Sequence, residues 1–350
     1  MMSPRPAQID DDLSLAGPYD APAQAEDLWF LSDADDATPA DPLPGARAST
    51  PGLVDGAGWR EAEAGLAAEL TELAFDAGRL AERQRGQGLG AAQRLALQEA
   101  ASLSWWTGDR VSADRLALWL SYRIGAADEG GEGLIRTAWA ARRLMAPVGQ
   151  GGDLIAATLG EDARGDAALW ADAAVALEAV AGLSAITRGC ATFHLWRALD
   201  ERPDHLRGIE AAVLAARLAG QGPGRRSGLA FLPLSLAGFA ALTASGTPER
   251  RLAGWIAGAH QAVLAALLSL DRLADWRGKA EMETADLSGR TPGLLIAALT
   301  AQPMLAAPQA EAETGASRAA VQRNLDLLVA RGLTREVTGQ GRFRVWAARV

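Results

Sequence analysis

Gly315-Ala316-Ser317-Arg318-Ala319-Ala320-Val321-Gln322-Arg323-Asn324-Leu325 leads through Leu328-Val329-Ala330-Arg331-Gly332-Leu333 to Thr338-Gly339-Gln340-Gly341-Arg342-Phe343-Arg344-Val345-Trp346. A glycine turn is followed by a serine, the residue type whose side-chain oxygen satisfies the unpaired amides at a helix start. Val321, Leu325 and Leu328 then fall on one helical face, and Gly332 closes the run, which predicts a helix over 317–331. Beyond it the apolar period changes to two. Short strands are expected at 333–338 and 342–347, joined by Gly339-Gln340-Gly341. In the second strand Phe343 and Val345 should point one way and Arg342, Arg344 and Trp346 the other.

Upstream, Thr291-Pro292 is a good helix start, a hydroxyl followed by proline at the first helical position. Leu294, Leu295, Ala298 and Leu299 give that helix a buried face, and Gln302-Pro303 closes it. A short helix is expected over 306–314. Helix, helix, turn, helix, hairpin is the order of a winged helix-turn-helix, here assigned to 286–350. A helix of that kind fits the major groove of double-stranded DNA with its N-terminal residues at the base edges. The expected DNA-binding residues are therefore Ser317, Arg318, Gln322 and Arg323 on the helix, with Gln340, Arg342 and Arg344 on the wing. Arginine can bond guanine bidentately, glutamine can do so with adenine, and wing arginines suit the backbone or minor groove.

Charge is distributed as that reading requires. The chain carries a net −9, yet from Thr314 onward seven arginines (318, 323, 331, 335, 342, 344, 349) face only Asp326 and Glu336. That end is +5 and the rest −14. A basic end on an acidic body is expected where one module meets phosphate and the remainder does not.

The remaining chain reads as mainly α. Hydrophobic residues make up 49% of it, supplied mostly by alanine and leucine, while aromatics are only 5%. These are helix formers, and β-branched strand formers are sparse. Residues 1–56 hold eleven acidic residues and two arginines among proline, glycine and alanine. They are expected to be a disordered acidic tail, with one short apolar stretch at Leu28-Trp29-Phe30-Leu31. Residues 57–285 are a run of helices. In the first, Ala62, Leu66, Leu70, Leu73, Ala77 and Leu80 recur at threes and fours. Others are expected at 91–106, 112–124, 132–145, 166–199 (with a break near Gly182 or Gly189), 204–219 and 248–279. The polar stretch 280–290 should link body and winged helix. Ser227 to Pro248 carries no charge, but Pro233 interrupts it and charges flank it, so a buried core segment is expected and no membrane association.

A single cysteine, Cys190, excludes an intramolecular disulfide, and Met1 to Asp12 lacks the basic-then-apolar pattern of a signal peptide. Both point to the cytoplasm. Cys190 and His194 could share a helix face, but two ligands do not make a metal site, and core packing is the simpler role. Gly149 to Gly152 and Gly220 to Gly224 lack the ending of a phosphate-binding loop. No cofactor, metal or catalytic residue is expected. The tryptophans of the body (Trp105, Trp106, Trp119, Trp139, Trp170, Trp196, Trp255 and Trp276) suit helix interfaces.

The 315–346 motif resembles the winged helix that ends many Fic-family proteins. It is closer still to an uncharacterised family of bacterial, often plasmid-borne, helix-turn-helix proteins. Upstream, Gln98-Glu99-Ala100-Ala101-Ser102, Trp106-Thr107-Gly108-Asp109-Arg110-Val111-Ser112 and Arg251 to Arg277 are similar to parts of the Fic helical core. That resemblance implies a diverged Fic-like helical bundle. It does not imply the family's nucleotide transfer. The region around Thr187 to Arg207 lacks the phosphate loop, and Thr107 stands where the inhibitory motif has glutamate.

The expected protein is thus a bacterial, sequence-specific DNA-binding regulator of transcription and not an enzyme. Its body would dimerise or bind a protein partner or small-molecule effector. A homodimer is expected because two half-sites supply the affinity that one small module lacks. The alternatives are a diverged Fic-like transferase controlling its own operon and a non-specific DNA-associated factor of plasmid maintenance.

Overall fold

Helices supply nearly all the regular structure of the computed structural model, which describes residues 54–122, 131–146, 158, 167–199, 202–222, 228–339 and 343–350. The acidic tail up to position 53 lies outside the described residues, as do Gln340 and Arg342. The helices of the body are α1 (Gly56–Gly65), α2 (Ala67–Gln87), α3 (Leu89–Thr107), α4 (Ala113–Tyr122), α5 (Gly131–Met145), α6 (Ala167–Leu177), α7 (Ala185–Leu199), α8 (Asp204–Ala219), α9 (Ala240–Thr243) and α10 (Pro248–Glu283). The C-terminal module adds α11 (Thr291–Ala301), β1 (Leu305–Ala306), α12 (Ala307–Thr314), α13 (Arg318–Ala330), β2 (Thr334–Glu336) and β3 (Val345–Ala348). The chain is mainly helical, with one small antiparallel sheet near its end.

Local sequence explains the boundaries. Asp55 caps α1 by accepting from the Gly58 amide at 2.9 Å. Leu66 departs from helical geometry (φ −110°, ψ 24°), so the long first helix expected from periodicity is two helices, α1 and α2. The break expected near Gly182 falls there, between α6 and α7. Thr247 caps α10, with Pro248 at its first position.

α10 contributes to two cores. Its Trp255, Ala259, Val263 and Ala266 are buried in the large core of the body. Further along, Leu273, Trp276 and Ala280 are buried in a second cluster with Leu295, Leu299, Val321, Leu325, Leu328 and Trp346. One continuous helix therefore serves both cores. The Trp276 indole donates to the Leu333 carbonyl at 2.7 Å. Residues 280–283, expected in a polar connection, extend the helix because burial of Ala280 keeps that turn packed. Among the described residues α10 is the one helix long and apolar enough to cross a membrane, and 44% of its most apolar window is buried. The uncharged segment before it runs irregularly from 228, with only short α9, and buries Leu229, Phe231, Leu232 and Leu234.

The sheet has the order β1-β3-β2, with Leu305 opposite Trp346, and Thr334 opposite Ala348. β1 carried no signal in the sequence, being two residues long. The expected strand alternation needs correction at Phe343. That residue sits before β3 in the left-handed region (φ 59°) and is 82% exposed, so it does not share a buried face with Val345. Within β3 both faces are buried. Val345 and Ala347 join the core of the body, while Trp346 and Ala348 join the second cluster. The sheet is covered on its outer face by the body, and for that reason polar-out alternation is absent.

Candidate nucleic-acid interface

α13 is held by its apolar side. Val321, Leu325 and Leu328 are buried, Gly315 makes the left-handed turn before it (φ 62°), and Ser317 caps it by accepting from the Ala320 amide at 3.4 Å. That leaves an outer face of Arg318, Ala319, Arg323 and Asp326, all exposed, with Gln322 half-buried. The Arg318 side chain is 83% exposed and lies 4.0 Å from the Glu311 carboxylate, the outer limit of an ion pair. Among the described residues Arg323 has no ion-pair partner. Gln322 donates to Asp326 at 2.9 Å, which ties its amide along the helix.

The expected wing residues divide. Gln340 and Arg342 lie outside the described residues. Arg344 is clamped. Its Nε meets Glu336 at 2.9 Å, its Nη1 meets Asp326 at 3.2 Å, and its guanidinium lies 5.0 Å from the Trp346 ring centroid. Arg344 therefore ties α13 to the sheet. Two other arginines of the basic end are also paired. Arg331 grips Asp286 through two bonds of 2.7 and 2.8 Å and donates to the Glu283 carbonyl. This contact raises the Arg331 pKa and lowers that of Asp286. Arg335 grips Asp114 of α4 at 2.7 and 2.9 Å. The structure thus brings Ser317, Arg318, Gln322 and Arg323 together on one exposed helix end and turns Arg344 inward.

Asp114, Asp286, Asp326 and Glu336 were the partners missed from sequence. Asp326 and Glu336 are close enough in the chain to α13 and the hairpin to have been suspected. Asp114, 221 positions from Arg335, gives no sequence signal.

The body holds a second group of titratable residues on α7. Cys190 is fully buried, and burial pushes its thiol well up. Burial, then the positive charges of Arg251 and Arg197, push His194 down to about 4, so it is neutral near pH 7. Among the described residues no group of three or more His, Cys, Asp or Glu side chains could hold a metal ion. Tyr122, at the end of α4, bonds the Gln309 side chain and accepts from the Ala306 amide at 2.9 Å, a further link between body and module.

No known protein family model and no curated protein matches this sequence.

Proposed function

We propose that the C-terminal module is a winged helix-turn-helix that binds duplex DNA through the N-terminal half of α13, and that the chain is a sequence-specific transcription regulator acting as a homodimer. One observation carries this reading: α13 is locked by its inner face while Arg318 and Arg323 stand exposed at its outer one, beside Gln322. Two cations flanking an amide on an exposed helix end match what the major groove offers, carbonyl and ring-nitrogen acceptors beside phosphates. The ion pairs of Arg331, Arg335 and Arg344 remove three arginines from the basic surface of the module, so phosphate attraction falls more heavily on α13. A small module with few free cations needs a second half-site, which is the argument for two copies. The assignment of the body as a diverged Fic-like bundle rests on its motif resemblance.

The test is a fluorescence-anisotropy titration of the full chain against the DNA upstream of its own reading frame and a scrambled duplex, at several salt concentrations. A preference for the upstream DNA of at least ~10³ is expected. It should be lost in Arg318→Ala/Arg323→Ala, while Arg344→Ala, whose partners are intramolecular, should retain it once refolding is verified. Equal, salt-sensitive binding to both duplexes would replace the regulator with a non-specific DNA-associated factor. No binding at low salt would end the DNA reading.

A further inference from the structure

A cavity of about 220 Å³ lies in the seam where the body meets the C-terminal module. α3 contributes Arg94 and Leu97, α4 contributes Asp114, and the module contributes Met304, Arg335 and Arg349. Three arginines thus line it with a single side-chain carboxylate, already committed to Arg335 at 2.7 Å, and Val350 lines it as well. Among the described residues no carboxylate pairs with Arg94 or Arg349. Apolar lining comes from Leu97, Ala117, Leu273, Met304 and Ala347.

Arg94 is the unusual member. One edge of its guanidinium is used: Nη2 donates to the Leu299 carbonyl and, at 2.6 Å, to the Gln302 carbonyl, closing the end of α11. Its Nε is buried without any hydrogen-bond partner. A cation withdrawn from water among neutral carbonyls still lacks a counter-charge, and burial alone brings its pKa down to about 10. With Nη2 taken by the carbonyls and Nε out of reach, Nη1 is the donor left to meet a carboxylate oxygen.

We infer that this seam cavity is a binding site for a small organic carboxylate with an apolar body. The carboxylate faces Arg94 and Arg349, and its apolar part lies on Leu97, Leu273 and Met304. The volume is below that of ordinary drug-sized sites, which favours a molecule of about ten heavy atoms. Because the walls come from both halves, an occupant would bridge them. The inference is independent of what α13 contacts.

Benzoate is a suitable probe, with benzyl alcohol as its uncharged analogue and inorganic phosphate as an anion lacking the apolar part. In the full chain with methyl-labelled methionine, benzoate should shift the Met304 methyl resonance saturably, with a dissociation constant on the order of 1 mM or tighter. Benzyl alcohol and phosphate should bind at least about tenfold more weakly. Arg349→Gln, an exposed position that leaves the fold intact, should weaken benzoate by roughly the same factor, and Arg94→Gln by more. The inference is overturned if the Met304 resonance does not respond, if benzyl alcohol or phosphate gives the same titration, or if Arg349→Gln binds benzoate as the parent does.

Discussion

Glu99 is the side chain most at odds with its surroundings. It is fully buried in α3, and its carboxylate accepts from the Leu234 amide at 2.9 Å and the Ser235 amide at 3.0 Å, pinning the irregular segment that precedes α9. These bonds favour the charged form, but burial outweighs them and raises its pKa from 4.5 to about 7. With the folded value above the unfolded one, the folded chain holds a proton that the unfolded chain has released. The contribution of Glu99 to stability is therefore complete below pH 4.5 and is lost as the pH rises through 7. The difference is on the order of 3 kcal/mol. His194 acts in the opposite sense. Its depressed value means that stability falls as the pH drops from 6.5 toward 4. The two slopes overlap, so the measurement is a comparison: urea unfolding of the parent and of Glu99→Gln from pH 5 to pH 8. The parent should lose more stability than the variant over that interval, and identical slopes would refute the assignment. The burial of Glu99 was not visible in the sequence, because a neighbour 135 positions away decides its environment.

At the scale of elements, the seam depends on close backbone approach. Gly90, in the first turn of α3, has no side chain where a Cβ would lie 1.9 Å from the Ala301 carbonyl oxygen and 2.8 Å from the Ala301 Cα at the end of α11. Neither atom belongs to a flexible side chain, so a methyl group there must push the two helices apart. Gly90→Ala should cost about 1–3 kcal/mol, the range for overpacking, despite alanine's better helix propensity. Chemical denaturation checks it, and an unchanged or raised midpoint would mean that the seam yields freely. The helices themselves were largely legible. The helices expected at 204–219 and 248–279 start where α8 and α10 do, and Ser317 with Gly332 bracketed α13. Two features were not. The continuation of α10 through 280–283 depends on Ala280 packing under a module that follows it in sequence. The inward turn of Arg344 depends on Asp326 and Glu336 being within reach of it, and an arginine on an alternating strand looks the same whether it faces phosphate or carboxylate. Composition and period report which face is apolar; they do not report which charge lies across from it.

Taken as a whole, the molecule joins its two cores through shared parts rather than through a tether. α10 supplies Leu273, Trp276 and Ala280 to the smaller core, and β3 shows one face to each core. Arg335 to Asp114, Tyr122 to the Ala306 amide and the carbonyls at the end of α11 to Arg94 add polar links. The surface ion pairs contribute little individually, and the shared apolar burial matters more. A fragment starting at the sequence-based boundary, 286–350, would lack the indole of Trp276, which is 5% exposed and bonded to Leu333, and would uncover Val345 and Ala347 on the outer face of its sheet. Losing a buried tryptophan alone costs about 3–5 kcal/mol, a large part of what stabilises a domain of that size. The fragment should therefore show weak helical circular dichroism and no cooperative melt. A fragment beginning at Ser269 should recover part of both, because it restores three buried side chains of the smaller core. The full chain should unfold in one transition, with α13 and the body reporting the same midpoint. A cooperative melt of 286–350 at the midpoint of the full chain would show instead that the module is autonomous, and the seam would then be a docking contact between two finished domains.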